Sequence, residues 1–208
     1  EYPIYLWSFF FGMILVSIYY VGITIEKCNL KVIVSFLIGT AIALFIAFGT
    51  PAKENSNFIY LLICGAVATC SMILPGLSGS FVLVLMGNYQ LIMIDAVNDL
   101  NLKILIPVVI GGVVGLLAFS HLLSWIFKNY RDITIAVLTG FILGSMPIIW
   151  PWKKDVITYF GSEAKVTGYE YYLPEFNMEF AIALVIILIG AAIIVLTEKM
   201  AKNKEEKE

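Results

Sequence analysis

Long apolar runs separated by short charged links make up most of the chain. Residues 4–25, 32–49, 104–127, 133–150 and 180–197 contain no Asp, Glu, Lys or Arg. A transmembrane helix needs about 20 predominantly apolar residues, with a working range of 17–25. Each run therefore predicts one full span. A sixth apolar stretch, residues 58–94, also lacks charge but is too long for one crossing, and Pro75-Gly76 divides it into two arms of about 17 residues. The pattern predicts an all-α, polytopic helical membrane protein with a broken or re-entrant hairpin over residues 58–94. Residues 1–197 form its transmembrane domain and residues 198–208 a charged tail.

The links orient these elements. Lys27 and Lys31, Lys128 and Arg131, and Lys199, Lys202, Lys204 and Lys207 make up eight of the thirteen basic residues. The positive-inside bias puts those three segments, the C-terminus included, on the cytoplasmic side. Residues 50–57, 95–103 and 151–179 then fall outside. Since both flanks of 58–94 lie outside, that stretch must enter and leave through one face, either as a re-entrant hairpin or as two short spans. Its tip is the sequence SMILPGLSGS.

That tip has a distinct chemistry. Pro75 disfavours helix at Leu74, so the first arm is expected to stop there. Gly76 and Gly79 can bring main chain close to a ligand, Ser78 and Ser80 offer hydroxyls, and Ser80 is the expected N-cap of the arm 81–94. Free amides and hydroxyls in a glycine-rich turn suit an anion. A tight helix–helix turn built for close packing uses the same residues. Depth favours a functional role, because non-helical backbone in the hydrocarbon region is tolerated only where protein or a water-filled cavity surrounds it.

Composition narrows the function classes. The chain is 61% apolar and 13% charged with a net charge of −2, against about 25% charged residues in soluble domains. No basic stripe with interleaved aromatics marks a nucleic-acid surface. Cys28, Cys64 and Cys70 have no metal-ligand spacing, and the last two read as small apolar residues in a helix. No GxxxxGK[ST] or HExxH motif is present, so the sequence calls for no metal, nucleotide or other cofactor and offers no catalytic residue. The loop 151–179 combines Trp152, Tyr159, Tyr169, Tyr171 and Tyr172 with Asp155, Glu163, Glu170, Glu175 and Glu179, which suits an interfacial belt or a substrate-capture surface. His121, inside the span 104–127, is either a helix-bonding neutral imidazole or a proton-linked group.

The run LPGLSGSFVLVLMGNYQLI resembles the second signature of the bacterial polyprenyl-phosphate translocase family, through Pro75, Gly76, Ser78, Gly79, Ser80, Gly87 and Tyr89. Downstream, IGGVVGLLAFSHLLSWIF and LTGFILGSMPIIWPW, with Gly140, Gly144, Ser145 and Trp150-Pro151, also look like that family. The resemblance implies recycling of undecaprenyl phosphate across the bacterial cytoplasmic membrane, without enzymatic chemistry, by one of two facing broken helices of an inverted repeat. An earlier Pro-Gly-Val-Ser-Gly-Gly-Thr motif of the family is absent. With the initial Glu-Tyr-Pro, this suggests that the sequence lacks an N-terminal part. The phosphate is expected on Pro75, Gly76, Ser78, Gly79 and Ser80, with Arg131 supplying positive charge if the tip reaches the cytoplasmic side. A channel or porter for small anions would use the same kind of tip. An intramembrane phosphatase or transferase would need a catalytic acid, base or metal beside it.

Overall fold

The structure is a computed structural model that describes residues 3–161 and 163–205. Among the described residues eight α-helices run in the order α1 Pro3–Gly22, α2 Leu30–Ala47, α3 Phe58–Ser71, α4 Gly79–Leu85, α5 Ala96–Asn98, α6 Leu102–Asn129, α7 Arg131–Gly144 and α8 Met178–Glu205. A π-helical turn, Gln90–Asp95, joins α4 to α5, and a 3-10 turn, Met146–Ile149, follows α7. Two antiparallel-compatible strands, β1 Lys153–Phe160 and β2 Glu163–Tyr171, pair into a two-stranded sheet. Ile4–Gly22, Leu30–Ala47, Leu102–Asn129 and Met178–Met200 are long and apolar enough to cross a membrane. Large apolar side chains such as Phe45, Leu117 and Leu188 stand exposed on them, which suits lipid as solvent.

Asparagine sets the start of four helices. Asn29, Asn57, Asn101 and Asn177 each accept an amide bond from the first turn that follows, at 2.9–3.2 Å. An Asn cap satisfies an N–H that the helix itself leaves unpaired.

The chain divides into two compact units. One comprises Glu1–Ala47, Ile135–Lys154 and Tyr171–Glu208. In it, α1 packs on α8 with main chain against main chain: a Cβ at Gly12 would strike the Ile187 carbonyl, and one at Gly190 the Phe9 carbonyl. On α7, Gly140 and Gly144 lie against the Phe36 and Thr40 carbonyls of α2, so the two helices run parallel. Trp150 stacks edge-on to Phe11 and Trp152, and the buried Lys153 ammonium sits 3.9 Å over the Trp7 ring.

The other unit comprises Phe48–Thr134 and Asp155–Glu170. Its core gathers Leu61, Cys64, Leu83, Val84, Tyr89 and Ile92. Gly111 of α6 lies on the Leu62 carbonyl of α3, and Gly115 lies on Ala66. Both contacts advance by four residues in the same direction, so α3 and α6 are parallel. The Thr69 hydroxyl lies 3.1 Å from the Gly112 carbonyl, and the Cys70 thiol 3.3 Å from that of Gly115. Because α3 and α6 start at the same end, the 30 residues between them must carry the chain back to where α3 began.

Four details depart from the sequence reading. The arm 81–94 is not one helix: α4 ends at Leu85, and the chain breaks at Gly87, whose φ is 73°. The segment 50–57 seals that break. Asn88, fully buried, accepts the Asn55 amide at 2.9 Å and donates to its carbonyl at 2.8 Å, while the Tyr60 hydroxyl donates to Met86. The expected span 133–150 is drawn as α7 plus the 3-10 turn, and α7 alone rises only about 21 Å. The loop 151–179 holds a β-hairpin that its sequence did not announce. Helix α8 continues past Thr197 to Glu205, whereas Lys207 lies outside the described residues.

Removing the Asn88 amide takes away the partner of both the Asn55 N–H and the Asn55 carbonyl and empties a fully buried position. Asn88→Ala is expected to cost about 2–3 kcal/mol and to lower the thermal midpoint in detergent, while Lys53→Ala on the same segment stays within about 0.5 kcal/mol.

Candidate functional site

Helix α3 tightens before it stops. Beyond its last residue, Ser71, the amides of Met72, Ile73 and Leu74 donate to Thr69, Cys70 and Ser71 at 3.1–3.2 Å, an i→i+3 pattern that uses up terminal carbonyls. Pro75 then ends the helical path, as expected. Pro75 followed by Gly76 is the residue order of a type II turn, and Gly76 has the positive φ of 87° that its third position takes, a conformation that a side chain at position 76 would strain.

The chain re-enters helix at Gly79. The cap is Ser78, not Ser80, and it makes no side-chain capping bond. Instead the Ser78 and Ser80 hydroxyls pair with each other at 2.9 Å. The first main-chain bond of α4 runs from Val82 to Ser78. The amides of Gly79, Ser80 and Phe81 precede it and have no acceptor among the described residues. Gly76 and Ser78 are exposed, Ser80 is half-buried, and Gly79 is buried where a Cβ would come 2.7 Å from the Ala68 carbonyl. Pro75, Gly76, Ser78, Gly79 and Ser80 thus form one short polar turn.

Arg131 does not join them. It is the first residue of α7, just beyond the C-terminal cap of α6, and it makes its own interactions there. Ser80 shares a cavity wall with Leu116, and the 13 residues of α6 from Leu116 to Asn129 rise about 20 Å. That separation exceeds the reach of one side chain. His121 stands exposed on the same stretch of α6.

Beside the turn lies a cavity of about 420 Å³ between α3, α4, the π-helical turn and α6. Small residues (Gly65, Ala68, Gly79 and Gly112) open it, and its surface is almost wholly apolar although Thr69 and Ser80 are among the residues that line it. Among the described residues no group of His, Cys, Asp and Glu could hold a metal ion. The exposed loop acids Asp155, Glu170, Glu175 and Glu179 repel rather than attract a phosphate, which disfavours capture of an anion by that loop. Burial raises the Tyr171 phenol, and burial with the Glu179 charge raises that of Tyr172, so neither titrates near neutral pH.

Fold and turn together define a polytopic helical membrane protein built around a broken hairpin with a neutral, donor-rich tip. The chain belongs to the undecaprenyl phosphate translocase-like family, whose model matches residues 1–167. It is 40% identical over 210 residues to the polyprenyl-phosphate transporter of Vibrio cholerae serotype O1 (strain ATCC 39315 / El Tor Inaba N16961), covering 97% of this chain and 68% of that protein. It is 31% identical over 119 residues to the polyprenyl-phosphate transporter of Staphylococcus aureus (strain NCTC 8325 / PS 47), covering 54% of this chain and 42% of the relative. No solved structure matches it.

Within the turn, Gly79 and Ser78 carry different packing duties. Gly79→Ala is expected to cost about 1–3 kcal/mol, because its methyl group meets the α3 main chain. Ser78→Ala removes no cap and is expected to stay within about 0.5 kcal/mol. Thermal unfolding of the two variants in detergent measures the contrast.

Proposed function

We propose that this protein carries a polyprenyl phosphate of the undecaprenyl class across the cytoplasmic membrane, with the turn at residues 75–80 holding the phosphate. The carrying observation is the set of amides at Gly79, Ser80 and Phe81 that have no acceptor among the described residues, beside the paired hydroxyls of Ser78 and Ser80. An uncompensated phosphate in hydrocarbon is prohibitively expensive, so a carrier must present donors where the headgroup passes. The turn lies level with the middle of α6, because its neighbours Thr69 and Cys70 bond Gly112 and Gly115. That position suits a midplane headgroup site between facing broken helices. Covalent chemistry is not part of this reading: the phosphate is bound, moved and released intact.

The orientation in this reading follows the basic residues, with the segment around Arg131 and the C-terminal tail on the cytoplasmic side. Arg131 serves there as an interfacial anchor. A porter for small free anions is the second reading. The apolar cavity that shares Ser80 with the turn favours a lipid, since a free anion gains nothing from it.

Reconstitution into liposomes containing labelled undecaprenyl phosphate tests the assignment through transbilayer movement. Ser78→Ala with Ser80→Ala is expected to lower the rate at least tenfold while thermal stability is kept, and Arg131→Gln to change it less than about twofold. Unaltered movement in the folded double variant removes the site. Uptake of free phosphate by the unaltered protein, without lipid movement, would favour the porter.

A further inference from the structure

We propose that the cavity beside the turn is the seat of the first isoprene units of the lipid, and that the remaining chain leaves it sideways into the bilayer. The inference rests on the headgroup reading above and adds to it a second, separately testable site.

The cavity and the turn share a residue. Ser80 belongs both to the hydroxyl pair and to the lining of the cavity, so a lipid whose phosphate sat at the turn would have the cavity directly beside it for its chain. The cavity then runs along α6 from Leu116 to Val108, a rise of about 12 Å. Its interior is closed by the core residues Leu83 and Ile92. Its rim is the reverse: Met72, Met93, Val109 and Val113 are all exposed, so the mouth opens on the lateral apolar surface of the unit.

An amphiphile fits this arrangement and a free anion does not. A cavity of about 420 Å³ lies in the range of small-ligand pockets, too small for a whole polyprenyl chain, so it takes only the headgroup-proximal units. In lipid, apolar burial brings little driving force, because bilayer tails are as apolar as the pocket wall. The groove therefore adds position more than affinity. It lets the phosphate reach its donors while the chain never crosses a polar surface. Methionines at the rim suit a flexible, branched chain, since their unbranched side chains adapt to irregular shapes.

Photolabelling tests this directly. The protein, in lipid nanodiscs, is irradiated with undecaprenyl phosphate carrying a diazirine on its first isoprene unit, and adducts are mapped by peptide mass spectrometry. Adducts are expected on peptides containing Met72, Met93, Val109 and Val113. A tenfold excess of unlabelled undecaprenyl phosphate should reduce them at least fivefold, and the same excess of phosphatidylglycerol less than twofold. Val113→Trp, an exposed position, should abolish the α6 adduct without lowering the thermal midpoint. Adducts outside the cavity, or equal competition by phosphatidylglycerol, overturn the proposal. The Ser78→Ala, Ser80→Ala double variant separates the two readings: adducts that persist and still compete keep the chain groove while removing the headgroup site, and adducts that vanish support both.

Discussion

Everything distinctive about this protein depends on main chain meeting main chain between α3 and α6. Gly65, Gly111 and Gly115 remove the side chains that would hold two helices apart, and the carbonyls of Leu62, Ala66 and Val108 fill the space. Small residues at helix contacts are the usual means of close packing where lipid supplies no hydrophobic force. The register of these contacts makes the two helices parallel. Two consecutive long helices joined by a short loop would be antiparallel, so parallel packing requires a return path. The broken element from Met72 to Asn101 is that path, and its turn lies at mid-height because α3 is only 14 residues long.

The return path cannot be an ordinary helix. Its first part, α4, lies on α3 through Gly79. Its second part begins after a break at Gly87, where the segment 50–57 reaches in and Asn88 closes the main-chain account. The π-helical turn at Gln90–Asp95 follows, with Tyr89 stacked on Phe160 of the β-hairpin at 5.4 Å. The bonds that seal this path thus lie away from the turn, where the Ser78 and Ser80 hydroxyls pair with each other. In the proposed function, neutral donors in a low-dielectric setting would hold the phosphate without the burial of a permanent charge.

Much of this was legible in residue types. Charge-free runs pointed to the four long helices, though not to the shortness of α7, and Pro75-Gly76 pointed to the break, because proline and glycine act on the backbone locally. The charge pattern pointed to a return of the hairpin to its own side, and the parallel register of α3 and α6 supports that path independently. What the sequence hid depends on distant partners. Gly87-Asn88 reads as a mild turn until the segment 50–57 supplies Asn88 with its bonds. The short α7 reflects Gly144-Ser145 ahead of Pro147, a stop that apolar composition masked. The capping asparagines, Asn29, Asn57, Asn101 and Asn177, were visible signals that a hydropathy reading passes over. Arg131 was tied to the turn only on the condition that the tip reach the cytoplasmic end of α6, and Ser80 beside Leu116 leaves the turn about 20 Å of helix rise from Asn129.

The central claim is that the chain between α3 and α6 returns to the end from which α3 started. Single cysteines at positions 54 and 99, in a protein with Cys28, Cys64 and Cys70 replaced by serine or alanine, test it in sealed vesicles of known orientation. A membrane-impermeant maleimide is predicted to label both positions from the same side, and neither from the other. Labelling of the two positions from opposite sides would mean that residues 58–94 cross the membrane once, and would contradict the account.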